Sequence, residues 1–143
     1  MDTIEQNKKT VTEFIAALFT RGDLTAADDY LTEDFLDHDP PFDQSADREG
    51  MRSASAMMRA ALPDWHSDVG LLVGEGDLVV EQFTASGTLV GPLMGVPGDG
   101  RRIELKGINI FRLRDGRIVE RWGRLDTLGV LRQLGLVPGP DGA

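Results

Sequence analysis

An α+β fold, with helices first and a bent antiparallel sheet after them, is what the sequence predicts, and three observations predict it. Early in the chain Val11, Phe14, Ile15, Leu18 and Phe19 recur at i, i+3, i+4, i+7 and i+8, the apolar stripe of an amphipathic helix. From Trp65 onward the spacing changes to period two, as half-buried strands require. Between two alternating runs stands Asp115-Gly116, a pair suited to the positive φ angles of a tight hairpin turn. Helices followed by a meander pack on one face of its sheet.

The elements follow in order. Arg21-Gly22-Asp23 ends the first helix, and Asp23 is placed to cap a short second one through Ala26, Ala27, Tyr30 and Leu31. Phe35 to Pro41 comes next; its two prolines fit neither a helix interior nor a central strand, so a brief extended piece leaving the core is expected. Residues 45–47 open a third helix with Met51, Ala54, Ser55, Met58 and Leu62 on one face, stopped by Pro63. Trp65, Ser67, Val69, Leu71 and Val73 then alternate along a strand that turns at residues 74–77. Residues 78–90 read as a long, bent strand with Gly87 as a candidate bulge, and 91–100 as a loop rich in glycine and proline. Residues 101–113 and 117–126 complete a meander of four strands. Leu128, Leu131 and Leu134 mark a last helix, stopped by Gly135. The reading is a single domain over residues 1–138 and a flexible tail over 139–143.

Composition narrows the function classes. Over 143 residues the net charge is −9, which argues against a nucleic-acid partner and against attraction to an anionic membrane. Cysteine is absent, so disulfides and thiolate metal sites are excluded and a reducing compartment is compatible. The first residues lack the basic and apolar regions of a signal peptide, and no apolar run approaches membrane length, so a cytoplasmic location is expected. No glycine-rich phosphate loop precedes a helix and only 2 histidines occur, so no metal, flavin or nicotinamide is expected. The partner expected is a small molecule.

Candidate site residues cluster around the last hairpin. On its second strand Glu120, Trp122, Arg124 and Asp126 share one face. A carboxylate beside an indole and a guanidinium can have its pKa displaced, as acid–base chemistry requires. Asp126 also directly precedes the last helix, and a plain helix cap is the competing reading. Arg124 supports either a site or surface charge pairing. His38, flanked by Asp37 and Asp39 and followed by Pro40, is a second acid–base candidate or a structural histidine. Its distance from His66 in the chain gives no metal-ligand spacing. Asn109, on the neighbouring strand, could donate to a ligand oxygen or satisfy backbone. Trp65 and Trp122 are substrate platforms or else core and interface aromatics.

Taken in order, Asn7, Asp37-His38-Asp39-Pro40, Pro63-Asp64, Gly74-Glu75-Gly76-Asp77, Gly87-Thr88, Gly91-Pro92-Leu93-Met94-Gly95-Val96-Pro97, the hairpin Asp115-Gly116-Arg117-Ile118-Val119-Glu120, Trp122, Asp126 and Gln133-Leu134-Gly135 resemble the SnoaL-like polyketide cyclases of the nuclear-transport-factor-2-like superfamily. The resemblance implies a cone-shaped α+β barrel, its N-terminal helices packed on a bent antiparallel sheet around a pocket. It also implies a site without cofactor or metal, and a homodimer or homotetramer. The implied reaction is aldol-type ring closure of a polyketide, with Asp126, by motif position, as the acid–base carboxylate and His38 as its second. Phe14, Asp37, Met58, Trp65, Asn109, Trp122 and Arg124 are the expected substrate contacts, with Leu18, Leu93 and Met94 adding apolar wall. Epoxide hydrolases on this fold use an Asp-Arg-Asp set, for which Asp126, Arg124 and Asp37 are the counterparts; epoxide opening and dehydration are thus the enzymatic alternatives. A non-catalytic binding or assembly module is the alternative of a different class. The chain departs from the family pattern where Gly-Thr-His becomes Gly87-Thr88-Leu89, Pro-Thr-Gly becomes Gly98-Asp99-Gly100, Glu-His-Trp becomes Glu120-Arg121-Trp122, and a first-helix tyrosine becomes Phe14.

Overall fold

The computed structural model describes residues 3–138, so the expected tail at 139–143 lies outside the described residues. Helix α1 (Ile4–Ile15) opens on a reciprocal cap: Gln6 N–H donates to Thr3 Oγ1 at 3.1 Å and Thr3 N–H to Gln6 Oε1 at 2.9 Å. Its buried face carries Asn7, Val11, Phe14 and Ile15. The helix then widens into a π turn, Ala16–Thr20, closed by Arg21 N–H on the Ala16 carbonyl at 2.9 Å. Helix α2 (Ala26–Tyr30) is shorter than expected, because Leu31 already begins a strand. Asp23 forms a turn onto Thr25 N–H, and Thr25 is the residue that precedes the helix. Helix α3 (Arg48–Ala61) is capped by Asp47, which accepts from Gly50 N–H at 3.0 Å, and buries Met51, Ala54, Ser55, Met58 and Ala61 along one face. From that face Ser55 Oγ donates to the Leu18 carbonyl at 2.6 Å, while Arg59 Nη1 reaches the carbonyls of Phe19, Thr20 and Trp65. The π turn's loosened carbonyls are thereby satisfied from α3.

Five strands follow one order: β1 (Leu31–Asp37), β5 (Arg117–Leu125), β4 (Arg102–Arg114), β3 (Leu78–Thr88), β2 (His66–Glu75). Pairing is antiparallel except at β1–β5, which is parallel. The sheet is therefore mixed and five-stranded, where the sequence predicts four antiparallel strands. Residues 31–37 do not leave the core but pair along the edge of β5, and the prolines follow only after that strand has ended. The expected bulge is displaced as well. Gly87 pairs regularly with Ile103, and its missing side chain is required instead by Asp64 Oδ1 and Leu62 Cβ, each 3.0 Å from where a Cβ would sit. Register shifts interrupt β1–β5 and β4–β5, and in the β2–β3 pair the shift falls between Val69 and Leu71. Beyond it the faces exchange: Leu72 packs on the core while Leu71 and Val73 turn outward. The Asp115-Gly116 turn has φ of 52° and 78°, the geometry that its residues predict.

The helices cover the inner face of this curved, open sheet. One apolar cluster joins Val11, Phe14, Leu18, Leu31, Val79, Phe111 and Ile118; the other joins Met58, Leu62, Trp65, Leu89, Ile103, Leu105, Val130 and Leu134. Full burial of each such side chain contributes about 1.5–3 kcal/mol. Helix α4 (Thr127–Gln133) closes the second cluster through Val130. No helix among the described residues is long and apolar enough to cross a membrane.

Candidate active site

A pocket lies between the two clusters. Ile15, Phe19, Met51, Met58, Trp65, Phe83 and Leu105 supply its apolar wall, half-buried Pro41 and Phe42 add to it from the loop after β1, and Ser67, Asn109 and Arg121 form its polar side. Strand alternation explains the polar side. On β4, Leu105, Asn109 and Phe111 point inward, and the antiparallel register sets Asn109 opposite both Glu81 of β3 and Gly123 of β5. Arg121 stands opposite Phe111 and beside Asp37 of the parallel edge strand.

These residues form one buried network. Arg121 Nη1 donates to both Asp37 carboxylate oxygens, at 2.9 and 3.0 Å, and to the Asp39 carbonyl at 2.9 Å. Its Nε donates to Asn109 Oδ1 at 2.9 Å, and Asn109 Nδ2 donates to Glu81 Oε1 at 3.0 Å. The Asn109 amide is thus oriented from both sides, by a guanidinium and by a carboxyl. Side-chain exposure is only 4% for Arg121 and 1% for Asp37, so this is an ion pair out of water, which is stable only with both partners present. Burial pushes the Glu81 carboxyl above its ordinary range, against the opposing pull of Asn109 and Arg121. Glu81 Oε2 is buried with no hydrogen-bond partner among the described residues. Arg121 Nη2 occupies the space a side chain at Gly123 would need, 2.2 Å from the Cβ position.

Several residues expected in the site lie elsewhere. Trp122 is on the outer face of the sheet, its ring stacked on His38 at 4.7 Å between centroids, with the Arg112 guanidinium 5.6 Å away. His38 Nε2 is 2.8 Å from Glu120 Oε2 on that same outer side. Arg124 is 83% exposed and pairs with Asp39 at 2.9 Å. Asp39 is held below the usual carboxylate range first by the Gly123 N–H and then by Arg124. Asp126 is exposed beside a shallow groove on the far side of the sheet end, and caps α4 by accepting from Gly129 N–H at 2.9 Å. Gly129 permits that approach, since a Cβ there would meet Asp126 Oδ2 at 2.4 Å. The pocket therefore does not receive Asp126, His38, Trp122 or Arg124, because the strand parity that groups three of them turns that face outward. Phe14 and Leu18 are fully buried in the first cluster, and Leu93 in the second, while Met94 is exposed. Met58, Trp65 and Asn109 do line the pocket, and Asp37 stands directly behind its wall. Arg121, Glu81, Ser67 and Phe42 are the residues that sequence reasoning passed over. A charged residue between buried Val119 and Gly123, in register with Phe111, is the signal that marks Arg121.

Among the described residues no three of His, Asp and Glu converge as metal ligands would. Comparison with known proteins bears on this frame. Residues 9–134 match the SnoaL-like polyketide cyclases. Aklanonic acid methyl ester cyclase DnrD of Streptomyces peucetius is 30% identical over 116 residues, 80% of this chain and 78% of that protein. Among solved structures, TsrD from Streptomyces laurentii superposes with a TM-score of 0.83 at 32% identity, covering 96% of this chain and 100% of that one. IdmH from Streptomyces antibioticus gives 0.80 at 36% identity, over 91% and 99%. The match along the chain and the shared fold agree, and the protein belongs to the SnoaL-like polyketide cyclase family.

Proposed function

We propose that this protein is a cofactor-independent cyclase that closes a carbon ring in a bulky, mostly apolar polyketide, with Arg121 and Asn109 holding the oxygen that becomes negative. The observation that carries this reading is a buried guanidinium, clamped by Asp37 and bonded to Asn109, in the wall of a mostly apolar pocket. In an intramolecular aldol closure a carbon between two carbonyls loses a proton and attacks a third carbonyl; the new alkoxide regains a proton, so atoms balance within the substrate and water. Negative charge resides on oxygen throughout. A fixed cation in a site shielded from water stabilises that charge far more than it would in bulk, and needs no reorganisation as the charge develops. No carboxylate or histidine lines the pocket among the described residues, so stabilising the enolate takes precedence over a dedicated base. Asp126, as a cap, has no part in this scheme.

Aklanonic acid methyl ester, named for the relative DnrD, is the first substrate to test. Arg121→Gln should lower turnover by about 10² to 10³, the usual loss for one oxyanion donor. Asp126→Asn, which keeps the cap, should turn over near the wild-type rate. Undiminished turnover in the Arg121 variant, or its loss in the Asp126 variant, would overturn the assignment. A homodimer fits the outer sheet face, where Leu36, Leu71, Val73 and Ile108 are 44, 63, 57 and 46% exposed. Sedimentation at micromolar concentration should give twice the 15.6 kDa chain mass; a monomer across that range would sink the dimer.

A further inference from the structure

The pocket is too small for the ligand class its walls suit. Its interior offers about 60 Å³ to water-sized spheres, room for roughly four waters. Sites for bulky small molecules run to about 300–1,000 Å³. Some part of the lining must therefore move, and the lining differs sharply in how firmly it is held. Most of it belongs to helices and strands. Pro41 and Phe42 belong to a short strap, residues 40–45, between β1 and α3. Hydrogen bonds pin the strap at its base, where Asp37 N–H donates to the Ala46 carbonyl at 2.8 Å and Asp39 Oδ2 accepts from Gly123 N–H at 2.9 Å. Its own bonds are few and local: Gln44 N–H to the Pro41 carbonyl at 3.1 Å, the Gln44 amide to the Phe42 carbonyl at 3.4 Å, and at its far end Ser45 Oγ to Asp47 Oδ1 at 2.6 Å.

Within the strap Phe42 has φ 54° and ψ 40°, and Asp43 has φ 60°. Two successive non-glycine residues in the left-handed region are strained, and a bulky aromatic there is an outlier. What holds Phe42 so is its ring, which lines the pocket and is half-buried against the second apolar cluster. The closed arrangement thus sets ring packing against backbone strain, the balance expected of an element with two accessible positions.

We infer that residues 40–45 form a gate, with the Phe42 ring as its plug, and that withdrawal of this ring admits a flat, multi-ring ligand to the pocket. This rests on the reading of the pocket as the substrate site. Arg121 Nη1 also holds the Asp39 carbonyl, one residue before the strap, so the wall that meets the ligand also anchors the gate's hinge. Phe42 then acts on specificity through entry, not through contact with reacting atoms.

The probe is anthraquinone-2-sulfonate, a soluble flat three-ring quinone, and the signal is quenching of Trp65, which lines the pocket. The chain has 2 tryptophans, so a Trp122→Phe background makes Trp65 the only indole. Phe42→Gly removes the plug and suits the left-handed backbone; Phe42→Asn removes the plug and tolerates it, so both should fold and their melting confirms it. A gate that is mostly closed lowers apparent affinity by the open fraction, so both variants should bind about ten-fold tighter than the parent if about a tenth of molecules are open. The parent's observed association rate should level off with probe concentration at the opening rate, and this ceiling should vanish in both variants. Equal affinity and equal, unsaturating rates in parent and variants would overturn the gate while leaving the pocket reading intact. Absence of quenching in all three proteins would overturn both.

Discussion

The two faces of β5 carry nearly the same inventory and do opposite things with it. Outward, Glu120, Trp122 and Arg124 sit in water or beside it, and their partners His38, Arg112 and Asp39 are themselves partly exposed. Inward, Arg121 is sealed between Asp37 and Asn109, and Gly123 gives up its side chain to make room. An arginine–aspartate pair at 2.9 Å occurs on both faces. Distance is therefore no guide to consequence here; the surrounding medium is. A pair in water is screened and replaceable, whereas a pair inside the fold fixes what lies next to it.

The sharpest break in that comparison is Asp37→Ala. It leaves the Arg121 charge buried without its counter-ion, and denaturant unfolding should show a loss of about 3–5 kcal/mol. A loss no greater than that of a surface pair would mean that Arg121 finds water and that the inner face is not dry. Next in size is Asp126→Ala, which should cost about 0.5–2 kcal/mol, while Asp126→Asn stays near wild type in melting. Equal costs for both would show that the carboxylate charge, and not the cap, is what the position supplies.

Glu81→Gln tests the inner network through pH. Because burial raises the Glu81 carboxyl, the folded chain keeps a proton that the unfolded chain releases above about pH 4.3. The stability due to this group is complete below that value and is lost as pH rises through the raised folded pKa. Glutamine still accepts from Asn109 and does not titrate. The melting temperature of the variant should therefore gain on wild type across that window, and the two should differ least in acid; parallel curves would refute a protonated Glu81. Smallest of all, Arg124→Ala should change stability by about 0–1 kcal/mol, and less in high salt. A change of the size expected for Asp37→Ala would erase the distinction between the faces.

Period and punctuation made most of the architecture legible. The apolar stripe through Phe14, the helix entry at residues 45–47 and the Asp115-Gly116 turn each report on local backbone, and local backbone is what residue spacing encodes. Pairing was not legible: nothing local to residues 31–37 announces a parallel neighbour more than eighty residues away. The site was half legible for the same reason. Alternation groups Trp122 with Arg124 and, separately, Arg121 with Gly123, but which group faces inward depends on the helices and on β1. Arg121 entered only as a departure from a familiar Glu-His-Trp string, yet it is the residue around which Asp37, Asn109 and Glu81 are arranged.

Gly123 has a consequence for descent. Its missing side chain is the berth of the Arg121 guanidinium, so the two positions cannot drift independently. A lineage that first gained a side chain at 123 would evict the guanidinium and strand Asp37; one that first lost Arg121 would leave Asp37 without its cation and a gap over Gly123. Either intermediate is worse than both ends. New wall chemistry on this frame must arrive by paired substitution, so among descendants positions 121 and 123 should covary.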